Sequence, residues 1–205
     1  MIATTHEILN DVHIAMAGPD EAPVAAAIIA DAFQHLEVAK WLVDDPAQRR
    51  SIVEQNMLIW TTHALKHGLI SLTLDETAVA VWFPTAEPLP APDDYDEQLD
   101  AGCGQWADRF RRLDETFEVH HPHGEPHHHL AFLAVRPGHQ GAGIGTALLR
   151  HHHEMYPDVA MYLEASSRES RALYLRHGYL DRGRFTLPPD GPPLWAMWRP
   201  ATAEY

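Results

Sequence analysis

The chain has 205 residues, 45% of them hydrophobic and 21% charged, a balance that supports one well-buried domain over 1–205 rather than two independent cores. Lys and Arg number 15 against 29 Asp and Glu, a formal charge of -14, which argues against nucleic acid and anionic membranes and leaves a cationic small molecule, or plain solubility, as readings of the field. One cysteine, Cys103, excludes an internal disulfide and fits a reducing, cytoplasmic setting, no apolar run approaches a membrane span, and Met1–Pro19 lacks the basic and apolar regions of a leader.

In chain order, weak alternation over His13–Met16 predicts a short first strand. Pro19 and Asp20 start a helix carrying Val24, Ile28, Ile29 and Phe33 at helical intervals. Asp44 and Pro46 open a second helix, with Ile52, Met57, Ile59, Trp60 and Leu65 as apolar positions and Gly68 as its stop. Leu69–Leu74 and Thr77–Phe83 are β-branched, apolar runs joined by Asp75-Glu76, a hairpin. Pro84–Asp94 holds four prolines and is neither helix nor central strand, so it is expected to be an ordered surface connection. A helix over Tyr95–Phe117 follows, with Leu99, Trp106, Phe110 and Leu113 on one face and Cys103 as packing.

His120–His129 contains six histidines and Glu125, enough imidazoles for a zinc ion. Two prolines and the lack of a second ligand cluster argue against a metal, and His151-His152-His153 would diverge around a helix. The expectation is no metal, and a loop entering the central strand with His128 or His129 facing a cleft. Leu130–Val135 is a buried strand ended by Arg136-Pro137-Gly138. Gln140-Gly141-Ala142-Gly143-Ile144-Gly145 follows, and then Ile144, Leu148 and His151 recur at helical spacing. A strand, a glycine-rich turn and a helix together make an anion site, because close-set backbone N–H groups and the helix dipole both favour negative charge. No Gly-Lys-Ser/Thr ends the loop and the glycines do not fit G-x-G-x-x-G, so the site suits a pyrophosphate held by backbone alone. Val159–Ala165 is another buried strand carrying Glu164, and a capped helix runs to His177 with Gly178 behind it. Tyr179–Leu187 and Leu194–Trp198 are the last strands, separated by Pro188–Pro193.

Val135–Gly145 reads V-x-P-x-x-Q-G-x-G-x-G and resembles the acetyl-CoA signature of the GNAT superfamily of N-acetyltransferases. Tyr174–Tyr179, Y-x-x-x-G-Y, is similar to that superfamily's second hallmark. His121–Trp198 also resembles the puromycin N-acetyltransferase group through Glu125-Pro126, His139-Gln140-Gly141, Leu163-Glu164 and Trp195-Ala196-Met197, as does Ala78–Trp82 upstream. The resemblance implies an α/β (α+β) fold: a single GNAT-type domain whose central mixed, mostly antiparallel twisted sheet of about seven strands is flanked by helices.

It also implies acetyl-CoA as cofactor. The strand residues Leu133, Ala134 and Val135 would meet the pantetheine arm, and Gln140, Gly141, Ala142, Gly143, Ile144, Gly145 and Thr146 the pyrophosphate. Ser170 stands where relatives often carry Asn near the cofactor, so that contact is expected to be lost or water-mediated. Tyr174 would be general acid to the sulfur. Glu164, with burial expected to raise its pKa, would accept the amine proton or bind a cationic substrate, and His129 is the alternative base. Phe33, Glu37 and Trp41 are candidate acceptor contacts, with core packing as the competing reading. No G-x-S-x-G elbow or activated cysteine offers a nucleophile, so direct transfer in a ternary complex is expected. The acceptor would be the amine of a small basic metabolite, an amino antibiotic of aminonucleoside or aminoglycoside type. The other readings are a protein or peptide N-acetyltransferase and a non-catalytic acyl-CoA sensor. A homodimer is compatible with the strand edges but not required by them.

Overall fold

A computed structural model of the chain describes residues 12–202 except residue 87. The leader reading of Met1–Pro19 therefore lies outside the described residues for 1–11, as does residue 87 of the proline-rich connection. The seven strands are β1 (Ile14–Met16), β2 (Leu69–Thr73), β3 (Ala78–Pro84), β4 (His127–Val135), β5 (Ala160–Ala165), β6 (Leu180–Thr186) and β7 (Pro193–Arg199). They form one sheet in the order β1-β2-β3-β4-β5-β7-β6. Every pairing is antiparallel except β4 with β5. The helices are α1 (Ala22–Phe33), α2 (Glu37–Leu42), α3 (Arg49–His67), α4 (Tyr95–Cys103), α5 (Ala107–His120), α6 (Ile144–Met155) and α7 (Arg168–Arg176).

Alternation along β3 explains how the sheet is covered on both sides. Val79, Val81 and Phe83 face Ile28, Ile29 and Met57 of α1 and α3. Ala78, Ala80 and Trp82 face Leu148 and Leu149 of α6, with Met161, Leu163 and Met197 beside them. With both faces buried, β3 reads as a continuous apolar run rather than an alternating one. A third cluster joins Leu42, Leu99, Cys103 and Phe110, and burial there pushes the Cys103 thiol up to about 12, an inert packing residue as expected.

Three local readings differ from the sequence-based expectation. The helix expected over Tyr95–Phe117 breaks at Gly104, whose φ of 51° is in the left-handed region, so a single 3-10 turn separates α4 from α5. The segment between the first two helices carries the short α2. In α6 the inward imidazole is His152 rather than His151: it is 1% exposed and stacks on Trp82 with ring centroids 3.8 Å apart.

Candidate active site

The site begins where β4 and β5 part. The two strands pair only from His127↔Ala160 to His129↔Tyr162, although β4 continues to Val135 and β5 to Ala165. On the other edge of β4 the register with β3 slips between Val81 and Trp82, leaving Ala131 without a counterpart. A bulge bends the bulged strand, here at the point where β4 leaves β5. The gap opens into a cavity of about 260 Å³ whose lining includes Leu130–Val135, Gln140, Glu164, Ser170 and Tyr174.

At the far end of the gap lies the glycine turn. Gly141 and Gly143 sit at φ 78° and 84°, and Gly143 is the N-cap of α6 with no side chain capping it. A Cβ at Gly141 would meet nothing within 4 Å, so glycine is needed there for conformation and leaves the approach open. The first N–H groups of α6 therefore point outward without a side-chain partner, as an anion site requires. Gly141 and Ala142 are exposed, while Ile144, Gly145 and Thr146 are half-buried. Gln140 donates from Nε2 to the Val135 carbonyl at 3.1 Å, so its side chain closes the turn. Arg136 anchors the same turn, donating to the Glu76 carbonyl and pairing with Asp31 of α1.

Glu164 is the electrostatic centre. Its side chain is 4% exposed and its Oε2 accepts from His129 Nε2 at 2.9 Å. Oε1 is buried and has no partner among the described residues. Burial pushes this carboxyl up, but His129, Tyr162 and His121 together hold it below the ordinary carboxylate range. The expectation that burial raises it is thus corrected: the partners outweigh the desolvation. His121, edge-on to His129 at 5.0 Å, is held down to about 4, first by burial and then by the His129 charge.

Tyr174 is 7% exposed, and burial raises its phenol well above the ordinary value. It packs edge-on against Tyr179 at 5.6 Å while lining the cavity. Ser170 also lines the cavity, but its hydroxyl accepts from Ser167 N at 3.1 Å in a capping box, leaving less of it for a ligand.

The three candidate acceptor residues separate. Phe33 lines the cavity, packed edge-on to Phe132 at 6.3 Å. Glu37 is a correction: its side chain is 71% exposed, pairs with Lys40 and is absent from the cavity wall. Trp41 is another, being packed with Val38 and Leu113 outside that wall. In a six-residue helix such as α2 only one face meets the gap, and Val38 and Leu42 supply it. The histidine-rich segment also differs from a loop. His127–His129 are β4 residues, and alternation sends His128 to the opposite face, where its Nδ1 lies 2.9 Å from His152 Nε2. Among the described residues no cluster of three or more His, Cys, Asp or Glu is arranged to hold a metal ion. Asn56, Met57, Ser166 and Ser167 also line the cavity; local pattern marks Met57 only as an apolar helix position and the serines only as capping residues, and nothing local marks Asn56.

Residues 101–180 match the family model of the acetyltransferase (GNAT) domain. Among solved structures, the chain is similar to a Corynebacterium glutamicum protein described as histone acetyltransferase HPA2 and related acetyltransferase, at 27% identity and a TM-score of 0.67, over 94% of this chain and 98% of that one. It shares its fold with arylalkylamine N-acetyltransferase 2 of Aedes aegypti, at 11% identity and a TM-score of 0.58, over 94% and 100% of the two chains. It shares it too with the ribosomal-protein-S18-alanine N-acetyltransferase of Escherichia coli, at 16% identity and a TM-score of 0.53, over 94% and 95%. No helix among the described residues is long and apolar enough to cross a membrane. The parted strands and the uncapped glycine turn both lie within residues 101–180, the stretch that matches the acetyltransferase (GNAT) domain, and the chain is an enzyme of the acetyltransferase type.

Proposed function

We propose that the protein is an acetyl-CoA-dependent N-acetyltransferase that acts on the amine of a small molecule by direct transfer. The observation that carries the reading is the buried, unpartnered Oε1 of Glu164, in the lining of the same cavity as Tyr174 and the unpaired edge of β4. A buried carboxylate oxygen without a donor is costly, and an amine arriving in the cavity would supply one. The residues also fit the cofactor. The β4 edge at Leu133, Ala134 and Val135 offers backbone groups to an extended amide-bearing arm, and the turn from Gln140 to Thr146 offers N–H groups to a pyrophosphate. Acetyl-CoA when bound supplies the acetyl group as a thioester, so that one C–S bond breaks as one C–N bond forms.

The chain's own residues do the rest. Glu164 holds the amine at Oε1 and takes its proton there, while His129 fixes the carboxylate through Oε2. Tyr174, kept protonated by its raised pKa, donates its phenolic proton to the departing sulfur. The walls formed by Phe33, Phe132 and Leu133 exclude water from the reacting groups. An amino antibiotic, and so a resistance role, is the acceptor suggested by the likeness of His121–Trp198 to the puromycin N-acetyltransferase group. Thiol release from acetyl-CoA across a panel of small amines tests the reading. Acceptor-dependent release that Glu164→Gln abolishes is the expected result. Acetyl-CoA binding with no release for any amine or peptide would favour a sensor instead.

A further inference from the structure

A second cavity of about 420 Å³ lies on the same face of the sheet as Glu164, a size suited to a small organic ligand. Its lining includes Ala196, the register partner of Glu164, and Tyr162, two residues before Glu164 on β5. It therefore lies beside the catalytic carboxylate, whose own side chain lines the first cavity. Its floor is aromatic: Trp198 and Tyr162 are 5% and 1% exposed, and Phe185 is stacked on His120 at 3.9 Å.

Its wall on β6 is basic. The register of β6 with β7 slips between Asp181 and Gly183, making Arg182 the extra residue of a bulge. Gly183, at φ 133°, permits the bulge, and Asp181 Oδ1 accepts from its N–H at 2.9 Å. The result re-aims Arg182 over the Trp198 ring, with its guanidinium carbon 5.6 Å from the centroid. Asp181 does not neutralise it, since that carboxylate is taken by Arg171 at 2.6 Å, and Arg182 has no carboxylate partner among the described residues. Net charge does not decide what binds here. At physiological salt the field is screened within about 8 Å, so the charges on the wall decide, and there Arg182 and Arg184 stand against the single carboxylate of Glu125.

We propose that this cavity holds the body of the acceptor, whose amine sits at Glu164 in the first cavity, and selects an amine whose body carries an anionic group, a carboxylate or a phosphate held by Arg182, beside an apolar surface seated on Trp198 and Phe185. The proposal rests on the acetyl-transfer reading and narrows its acceptors, setting polycationic amines aside. The test pairs each acidic amine with its uncharged-body twin: phenylalanine with phenethylamine, and phosphoethanolamine with ethanolamine. Expected is a kcat/KM at least about ten-fold higher for an acidic member, a ratio that falls toward one in Arg182→Gln and partly returns in Arg182→Lys. Equal or inverted preference, or a ratio that Arg182→Gln leaves unmoved, overturns the proposal. Calorimetry with N-acetylphenylalanine and N-acetylphenethylamine, in the presence of CoA, separates the two readings. Arg182-dependent binding of the acid without turnover of any amine sinks acetyl transfer but keeps the anion pocket. Turnover with no Arg182-dependent discrimination in binding does the reverse, and neither binding nor turnover of an acidic member also overturns the pocket.

Discussion

His152 makes stability depend on acidity in a way that can be worked out in advance. It is 1% exposed, stacked flat on Trp82 at 3.8 Å and bonded to His128, and burial is the first cause that depresses its pKa to about 2. An unfolded chain takes up a proton on this imidazole below about 6.5. The folded chain does not, so the stability is fully present above that value and is lost as pH falls through the window from about 6.5 toward about 2. The slope for one such group is about 1.4 kcal/mol per pH unit, hence a loss of about 2 kcal/mol between pH 7.5 and pH 5. His152→Phe preserves the stack but removes both the titration and the hydrogen bond, leaving a buried nitrogen of His128 unsatisfied at a cost of about 1–3 kcal/mol. Urea unfolding of both proteins at pH 7.5 and pH 5 is the assay. The variant should be the less stable at pH 7.5, and the gap should narrow by about 2 kcal/mol at pH 5. Buried histidines that do not interact with His152, such as His121 with a pKa near 4, titrate in both proteins and cancel in the difference. A gap equal at the two pH values would refute the claim that the fold holds His152 neutral.

Four further outcomes follow from the site. Glu164→Gln should lower kcat/KM by about two to four orders of magnitude while acetyl-CoA affinity, read by calorimetry, stays near wild type. His129→Ala removes the first of the partners that oppose burial at Glu164, so the acid limb of kcat/KM should move to higher pH; a limb that stays in place would show that His129 does not hold the carboxylate ionised. Tyr174→Phe should bind acetyl-CoA normally and lose turnover by about two orders of magnitude or more, and retention of most activity would remove it as the acid. Gly143→Ala must adopt a left-handed conformation, at about 1–2 kcal/mol, in the turn that presents the α6 N–H groups. Its KM for acetyl-CoA should rise, and an unchanged KM would separate that turn from cofactor binding.

Much of the site was legible where chemistry is local. The order strand, turn, helix over Leu130–Glu154 could be read from the chain, because its proline and glycines act on their own backbone, although the inward imidazole was His152 rather than His151. The capping-type residues before the last helix and the stop at Gly178 were legible for the same reason. Phe33 and Trp41 looked alike from spacing alone, yet one lines the gap and the other packs behind it. Spacing shows that a face is apolar but not what it meets.

The amino-acid order by itself determined most of the elements and their sequence, and together with the family resemblance it nominated the glycine turn as an anion site and Tyr174, Glu164 and His129 as acid and base candidates. Tertiary structure alone decided their relations. It placed β7 between β5 and β6, which sets Ala196 opposite Glu164. It sent His128 and His129 to opposite faces of β4, one to a buried stack and the other to the carboxylate. It also set the balance at Glu164, where burial competes with Tyr162, two residues away, and with His129 and His121 from distant parts of the chain for one proton. Conformational preference is a property of a few adjacent residues, whereas a pKa and a cavity belong to groups that only folding brings within a few ångströms of one another.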